Sequence, residues 1–375
     1  MVNMKSFGAV ALSLLAATEV VAHPHHDHKA EALERRTNMA KMSKRSLSHC
    51  AEKLEARGIA AKNAARRQAM HDQLSKRATL AKRDLDTVLN TSHHSDLTGV
   101  TPNADPSLLF TGNNSCILAP ETTQGPYYVV GELFRQNITE SQEGVPLYMD
   151  IQVIDTNTCE PVKDVAMDFW HCNATGVYSG IAASGNGDSS DTGNLDKTFL
   201  RGIQATNEDG VLQFVSIVPG HYTSRTNHIH VLAHSPGSWS LLPNGTITGG
   251  TTSAHVGQIF FDQDLINEVE TFEPYSTNTQ EWTLNEDDSI LSGEADDIDP
   301  VVEYVLLGDS VSDGIFSWIS VGIDSTANYT VNPAAYYSAN GGYENSESGS
   351  GMGGGSAPSG AAPSGTAPSG TPPSS

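Results

Sequence analysis

Short apolar runs separated by polar turn residues occupy the middle of this chain, from about residue 117 to residue 337. Runs such as PLYMDIQVID, GVLQFVSIV and IFSWISVGID have the length of strands, are rich in β-branched and aromatic residues, and are bounded by Gly, Pro, Asn and Asp. No GxGxxG or Walker motif and no alternation with helical segments accompanies them, which disfavours a nucleotide-binding α/β fold. The pattern predicts a mainly β fold, with an antiparallel β-sandwich or barrel-like core that we place at residues 116–340.

The flanking segments have other compositions. Residues 1–22 combine a lysine, an apolar stretch and small residues at the end, which indicates a secretory signal peptide. Residues 23–83 are basic and rich in helix-forming Ala, Leu, Glu, Lys and Arg, and they predict a helical pro-segment or arm. Residues 84–115 predict a polar linker, and residues 341–375, with their repeated APSG units, predict a disordered tail.

Charge narrows the range of partners. The 375 residues contain 21 Lys+Arg and 44 Asp+Glu, a formal net charge of -23. The basic residues that follow residue 83 are Arg135, Lys163, Lys197, Arg201 and Arg225. A body this acidic disfavours nucleic acid and anionic membrane surfaces as partners. No stretch after the leader reaches the roughly 20 apolar residues of a membrane helix, so we expect a secreted, extracellular protein.

The export signal determines how the cysteines are interpreted. In an oxidising compartment an even number of cysteines predicts disulfides, and the four cysteines of this chain allow three pairings. A bond between Cys159 and Cys172 closes a short loop and is favoured, which leaves Cys50 with Cys116. The chain also contains N-x-S/T sequons, which predict a glycoprotein. They begin at Asn90, Asn113, Asn137, Asn173, Asn244 and Asn328.

Two tyrosine motifs and a His-x-His pair provide the candidate chemistry. WHCNATGVY ends at Tyr178, and PGHYTSRTNHIH contains Tyr222, His228 and His230. Because side chains alternate along a strand, the spacing of the two histidines directs both imidazoles to one face. Phenolate oxygen and imidazole nitrogen form a donor set that suits Fe(III) better than zinc. The sequence therefore predicts a metal site if the fold brings the two motifs together.

Taken together, these motifs resemble the iron signature of the intradiol ring-cleavage dioxygenases, the family of the catechol 1,2- and protocatechuate 3,4-dioxygenases. GPYY at residues 125–128, the FLRGIQATNEDG run and QIFFD match the same family, and the resemblance extends over roughly residues 116–265. The resemblance implies one Fe(III) per chain, held by Tyr178, Tyr222, His228 and His230. It also implies that Tyr222 is the ligand that leaves, and takes up a proton, when a catechol binds.

The same resemblance assigns further residues. Arg225 matches the arginine that faces the substrate, and Gln258 matches a catalytic glutamine, although a glycine precedes it here. Tyr127 and Tyr128 match the segment that borders the substrate pocket. The chain departs from the family where Arg-Thr-Asn-His replaces Arg-Pro-Ala-His, and in a shorter stretch between Tyr222 and the first histidine than in the bacterial enzymes. Both departures lie in the loop that carries Tyr222 and Arg225.

The resemblance therefore implies a secreted, non-haem Fe(III) dioxygenase that cleaves catechol-type aromatic diols with O2 to cis,cis-muconate-type products. Its expected partners are the small aromatic diol and O2. Because the family often dimerises, a homodimer is also expected, with the helical arm as the candidate interface. Two other interpretations stay open. One is a secreted iron- or aromatic-binding glycoprotein with the same fold and no turnover, and the other is a structural glycoprotein that binds no iron.

Overall fold

The computed structural model describes residues 33, 36–37, 47–50, 85–98, 100, 115–117, 125–183, 185–253, 255–295 and 298–346. The predicted signal peptide, most of the basic arm and the tail from residue 347 lie outside the described residues. Those predictions, and that of a homodimer through the arm, therefore stay predictions. Within the described part of the chain, no helix is long and apolar enough to cross a membrane.

The regular secondary structure of the described residues is mainly β-strand, which confirms the predicted fold class. The strands are β1 Ser115–Ile117, β2 Val129–Val130, β3 Pro146–Asp155, β4 Ala166–Trp170, β5 Arg201–Ala205, β6 Val211–Ile217, β7 His228–His234, β8 Thr252–Ser253, β9 His255–Phe260, β10 Glu303–Leu306, β11 Ile315–Ile323, β12 Tyr329–Thr330, β13 Ala335–Ser338 and β14 Gly341–Glu344. The described α-helices are α1 Leu85–Leu89, α2 Gln263–Val269 and α3 Ser289–Glu294. Short 3-10 helices lie at Leu47–Cys50, Thr192–Asp196, Tyr275–Thr277, Asn285–Asp287 and Val311–Asp313.

Two sheets form the sandwich. One has the strand order β1-β11-β3-β6, with β10 also paired to β11, and the other has the order β5-β4-β7-β9. Every pairing in the second sheet is antiparallel, as predicted. The first sheet is instead mixed, because β11 runs parallel to both β3 and β1. Parallel neighbours need a long connection, and most of the domain separates β3 from β11 along the chain.

Strand β7 is buried along its whole length, although one face of an antiparallel sheet often meets water. Its side chains that point into the core between the sheets are Ile229, Val231 and Ala233. The alternate residues face away from that core, and Leu232 joins a second apolar cluster that includes Tyr178. His228 and His230 share this second face, as their spacing predicted.

The disulfide pairing differs from the predicted one. Cys50 is bonded to Cys159, with Cα atoms 5.1 Å apart, and Cys172 is free and buried. Cys159 precedes β4 and Cys172 follows it, so a strand of 5 residues, about 16 Å long at about 3.3 Å per residue, separates them. A disulfide needs Cα atoms within about 7 Å, which this arrangement does not provide. The predicted bond between Cys50 and Cys116 is wrong as well, because Cys50 is already used.

The predicted start of the disordered tail, residue 341, is also too early. Gly341–Glu344 form β14, which pairs with β13, and β13 pairs with β2 directly after the GPYY segment. A Cβ at Gly341 would lie 2.4 Å from Oδ1 of Asp196, and a Cβ at Gly342 would lie 1.9 Å from the carbonyl oxygen of Leu195. These glycines therefore allow close backbone approach, and the folded domain continues past residue 340.

The buried carboxyl of Asp150 in β3 should make the stability of the fold depend on pH. The side chain is 1% exposed, and burial raises its pKa to about 7, against a hydrogen bond from Gln213 that lowers it. Because the folded pKa exceeds the unfolded value of about 3.9, the folded state binds the proton more tightly, and stability is lost as the pH rises from about 4 through 7. Asp150→Asn should raise the free energy of unfolding at pH 8 by a few kcal/mol, since one pKa unit corresponds to about 1.4 kcal/mol.

Urea denaturation at pH 5 and pH 8 measures this difference. Asp209→Asn is the control, because Asp209 is exposed and lies in the turn that leads into β6 of the same sheet. An equal pH dependence of stability in the wild type and in Asp150→Asn would contradict the prediction.

Candidate metal centre

The two histidines of β7 place their ring nitrogens next to each other. His228 is 1% and His230 is 2% exposed, and their Nε2 atoms lie 3.1 Å apart. Two nitrogens bound to one metal ion at about 2.1 Å, roughly at right angles, lie about 3.0 Å apart. The separation of the pair is therefore the one expected for two neighbouring ligands of a single ion.

A backbone carbonyl determines the tautomer of His228. Its Nδ1 lies 2.6 Å from the carbonyl oxygen of Thr226, which can only accept a hydrogen bond, so Nδ1 carries the proton. Nε2 therefore presents a lone pair, as in histidines that bind metals. The atoms around this lone pair are Tyr222 Oη at 3.1 Å, His230 Nε2 at 3.1 Å and Arg225 Nη1 at 3.3 Å.

Both predicted tyrosines reach the same place. Tyr178 is fully buried, and Tyr222 is 1% exposed. The ring centroid of Tyr178 lies 5.5 Å from that of Tyr222 and 6.0 Å from that of His230. The ring centroid of Tyr222 lies 5.4 Å from that of His228. The fold thus brings together all four side chains that were predicted as ligands.

The two tyrosines are anchored in different ways. The carbonyl oxygen of Tyr178 accepts hydrogen bonds from the side-chain amides of Asn186 and Asn194, at 2.7 and 2.6 Å. Tyr222 instead begins a tight turn, closed by the N–H of Arg225 at 3.1 Å from its carbonyl oxygen, in which Ser224 has a φ of 70°. The two asparagines were not identified from the sequence, because asparagine is common in loops and these two belong to no motif.

Burial controls the charge of both phenols. It raises the pKa of Tyr178 well above the usual value, with a further rise caused by the neighbouring Tyr222, and it also raises the pKa of Tyr222. Both side chains are therefore neutral at neutral pH unless a cation offsets the burial of negative charge. Two phenols that ionise beside a cation and two imidazoles, one with its lone pair directed at the other donors, fit Fe(III).

Another group of metal-type side chains does not form a competing site. Among the described residues, His49, Cys50 and Cys159 have possible ligand atoms within 4.8 Å of one another. Both sulfur atoms belong to the disulfide, however, and His49 Nε2 lies 2.7 Å from the carbonyl oxygen of Thr156. The group is therefore a disulfide with a neighbouring histidine.

Arg225 and Gln258 adjoin the four donors. Arg225 is 2% exposed, and its Nη2 donates a hydrogen bond to Gln258 Oε1. Gln258 lies opposite His230 in the pairing of β7 with β9. Its Nε2 is buried and has no hydrogen-bond partner among the described residues, which leaves one donor next to the site for a ligand.

The two tyrosines of the GPYY segment make different contacts. Tyr127 packs on Tyr178, with ring centroids 4.6 Å apart, and lies 6.2 Å from Tyr222, so it borders the site as predicted. The hydroxyl of Tyr128 donates to the carbonyl oxygen of Gly250 at 2.7 Å, and its ring packs on Trp170. These contacts give Tyr128 a packing role, and its predicted contact with a substrate stays a prediction.

Trp170 was not predicted as a site residue, although it is the first residue of the WHCNATGVY motif. Its fully buried ring stacks on His230, with centroids 5.0 Å apart and an interplanar angle of 6°. His230 is the register partner of Trp170 in the pairing of β4 with β7. Trp170 thus fixes the plane of the His230 ring.

Comparison with known proteins finds a family to which part of this chain is similar. Residues 123–268 match the family model described as Dioxygenase. A curated relative, the catechol 1,2-dioxygenase of Pseudomonas sp. (strain EST1001), is 27% identical over 154 residues, which are 35% of this chain and 47% of the relative. The chain therefore spans about half the length of that relative.

Two solved structures are also similar. The intradiol ring-cleavage dioxygenase from Tetranychus urticae is 29% identical, with 56% of this chain and 96% of that chain covered and a TM-score of 0.45. Catechol 1,2-dioxygenase from Pseudomonas arvilla C-1 is 20% identical, with 54% and 61% covered and a TM-score of 0.33. The family model that matches residues 123–268 and these relatives agree with the predicted resemblance to the intradiol ring-cleavage dioxygenases.

Trp170→Leu should weaken metal binding, because the His230 ring then loses the surface that fixes its plane. Removing a residue that orients a metal ligand typically lowers the affinity about ten- to hundredfold. Titration of the metal-free protein with Fe(III) against a competing chelator measures the change. Trp239→Leu is the matched control, since the ring of Trp239 stacks on Phe134 instead. Equal affinities of the two variants would contradict this role of Trp170.

Proposed function

We propose that this chain is a non-haem Fe(III) intradiol dioxygenase, which binds one Fe(III) per chain and cleaves catechol-type aromatic diols with O2. The observation that carries the proposal is the convergence of two tyrosines and two histidines in one buried cluster. The residues that would hold the ion are Tyr178, Tyr222, His228 and His230. The match of residues 123–268 to the family model described as Dioxygenase supports the same chemistry.

Bound Fe(III) would act as a Lewis acid toward the diol. Tyr178, whose backbone is held by two buried asparagines, would stay in place throughout. Tyr222 would turn away as the diol binds, and its Oη would accept one of the two diol protons, while the other would leave as water with a displaced hydroxide. Burial favours the protonated form of this phenol, because it raises the pKa of Tyr222.

Arg225 would stabilise the negative charge that develops on the diol ring, a task suited to a fixed and buried cation. The Nε2 donor of Gln258 would bind an oxygen of the diol or of the product. The bond between the two oxygen-bearing carbons breaks, and both atoms of O2 enter the product. No external reductant is needed, and the product is a cis,cis-muconate-type dicarboxylate.

The visible spectrum and the uptake of O2 test this proposal in one preparation. After loading with Fe(III), the wild type should bind about one ion per chain, show the charge-transfer colour of tyrosinate on iron, and consume O2 when catechol is added. Tyr178→Phe should lose both the colour and the O2 uptake. Tyr148→Phe is the control, because Tyr148 packs on the outer apolar cluster of the first sheet.

Two results would decide against the proposal. Wild-type protein that stays colourless and iron-free after loading has no ferric site of this kind. Protein that binds iron and catechol but consumes no O2 is a binding protein with the same fold, the alternative stated above.

We also propose that the protein is exported and glycosylated. The apolar leader, the sequons and the disulfide between Cys50 and Cys159 support this, since disulfides persist in oxidising compartments. The sequon asparagines that the structure exposes are Asn90, Asn137, Asn244 and Asn328. Asn173 is different, because its Oδ1 accepts backbone N–H groups of the following turn and its Nδ2 donates to Gln142 at 3.1 Å.

Expression through a eukaryotic secretory pathway should therefore place glycans on Asn90, Asn137, Asn244 and Asn328 and leave Asn173 unmodified. Peptide mass spectrometry before and after glycosidase treatment measures the occupancy of each site. A glycan on Asn173, or four unmodified exposed asparagines in a secreted sample, would contradict the prediction.

A further inference from the structure

The loop that carries Tyr222 and Arg225 is held by a segment beyond residue 268, where the family match ends. Residues 270–288, which we call the clasp segment, contact this loop at successive points. The contacts are Glu270 Oε1 with His221 Nδ1 at 2.9 Å, Gln280 Oε1 with Thr223 N at 3.3 Å, Asn285 Oδ1 with Thr226 Oγ1 at 2.6 Å, and Asp288 Oδ2 with Arg225 Nε at 2.9 Å. The contact of Asp288 is an ion pair, and it is the one that reaches the substrate-facing side chain.

Both oxygens of Asp288 are fully engaged. Oδ2 accepts hydrogen bonds from Arg225 Nε and from the backbone N–H of Thr226, each at 2.9 Å. Oδ1 accepts from the backbone N–H groups of Ile290 and Leu291, each at 2.9 Å, and so caps α3. The side chain of Asp288 is 0% exposed and that of Arg225 is 3% exposed, so water does not replace these bonds.

These bonds orient the guanidinium group of Arg225. Its Nε is held by Asp288, its Nη2 donates to Gln258, and its Nη1 lies 3.3 Å from His228 Nε2. Because the guanidinium is planar, two hydrogen bonds to different partners determine the direction of the third nitrogen. The negative charge of Asp288 also offsets the repulsion that a buried cation would feel beside a ferric ion.

We propose that Asp288 is the positioning residue of Arg225, which it orients toward the diol while neutralising its charge. The inference rests on the proposed function and extends it to a residue outside the matched family region. It differs from a purely structural role, in which Asp288 would serve only to begin α3. The two roles use different oxygens of the same carboxylate, and a substitution can separate them.

Asp288→Asn is the substitution that separates the two roles. Asparagine and aspartate cap helices about equally well, so the amide oxygen can keep the bonds to Ile290 and Leu291. The amide nitrogen then faces the N–H groups of Arg225 and Thr226, and the negative charge is lost. With the iron-loaded protein and catechol, we expect kcat/KM to fall about ten- to hundredfold, as for other small displacements of a catalytic group.

A control variant accounts for general effects of the substitution. Asp155→Asn is matched to Asp288→Asn, because Asp155 is 3% exposed and its two oxygens accept two hydrogen bonds each from residues at the end of β3 and from Ser325. It has no contact with Arg225. Asp155→Asn should keep the wild-type kcat/KM, and both variants should bind as much iron as the wild type.

A double-mutant cycle with Arg225→Met distinguishes a positioning role of Asp288 from a purely structural role. If Asp288 acts through Arg225, Asp288→Asn should lower kcat/KM by less than about twofold in the Arg225→Met background. The urea midpoint of the metal-free protein gives a second readout. Asp288→Asn removes the carboxylate that neutralises the buried Arg225 cation, so the added Arg225→Met should raise the midpoint again. This readout serves even where the single variant folds poorly.

Several outcomes would overturn the inference. Three outcomes would leave the proposed function standing and remove Asp288 from it. They are losses in kcat/KM that multiply in the double variant, no loss in Asp288→Asn, and an equal loss in Asp155→Asn. Wild-type protein that neither binds nor cleaves catechol would instead defeat the proposed function, and the inference with it.

Discussion

Strand β7 is buried on both of its faces, and the candidate metal centre depends on that constraint. Ile229 points into the core between the sheets, while His228 and His230 point to the opposite side, which is covered by Trp170 and by the tyrosines of the second cluster. A strand buried on both faces leaves its polar side chains without water, so each nitrogen requires a partner in the protein or a ligand. The carbonyl of Thr226 takes one nitrogen of His228, and the other is left to face His230 and Tyr222. Burial makes this cluster of imidazoles and phenols costly in free energy when nothing is bound. The same burial makes the cluster suited to an ion.

Burial also determines how the charged side chains around the site are paired. The phenols can stay neutral, but a guanidinium group cannot, so the cations around the site each lie against a carboxylate from another element. Arg225 pairs with Asp288 at 2.9 Å, and Arg201 pairs with Glu132 at 3.0 Å while its Cζ lies 5.9 Å from the ring centroid of Tyr178. In such buried pairs, removal of one partner leaves an uncompensated charge, which is more costly than the absence of both. The cations are therefore part of a neutral framework around a site whose own charge depends on what it binds.

The four candidate ligands could be predicted because local rules govern them: a two-residue spacing on a strand, and motifs that hold residue types in a fixed order. Features that depend on distant segments were missed. The short separation of Cys159 and Cys172 was misleading, since strand β4 lies between them and holds them apart. Gly341 and Gly342 belong to a Gly-rich stretch that predicts disorder, yet both are needed for close contact with residues 195–196. Asp288 is 63 residues from Arg225 in the chain, and no local pattern connects them.

The anchoring of the Tyr222 loop bears on how that residue could leave the site. The backbone is held on both sides of Tyr222: the carbonyl of His221 accepts from Asn278 at 2.8 Å, and the N–H of Thr223 donates to Gln280 at 3.3 Å. The turn is closed by the bond from Arg225 N to Tyr222 O, and Asp288 holds the far end. A loop pinned at these points cannot open as a unit without breaking the bonds that orient Arg225. Departure of Tyr222 would therefore be a rotation of its side chain about Cα–Cβ, which moves its hydroxyl away from His228 and leaves the guanidinium of Arg225 where it is.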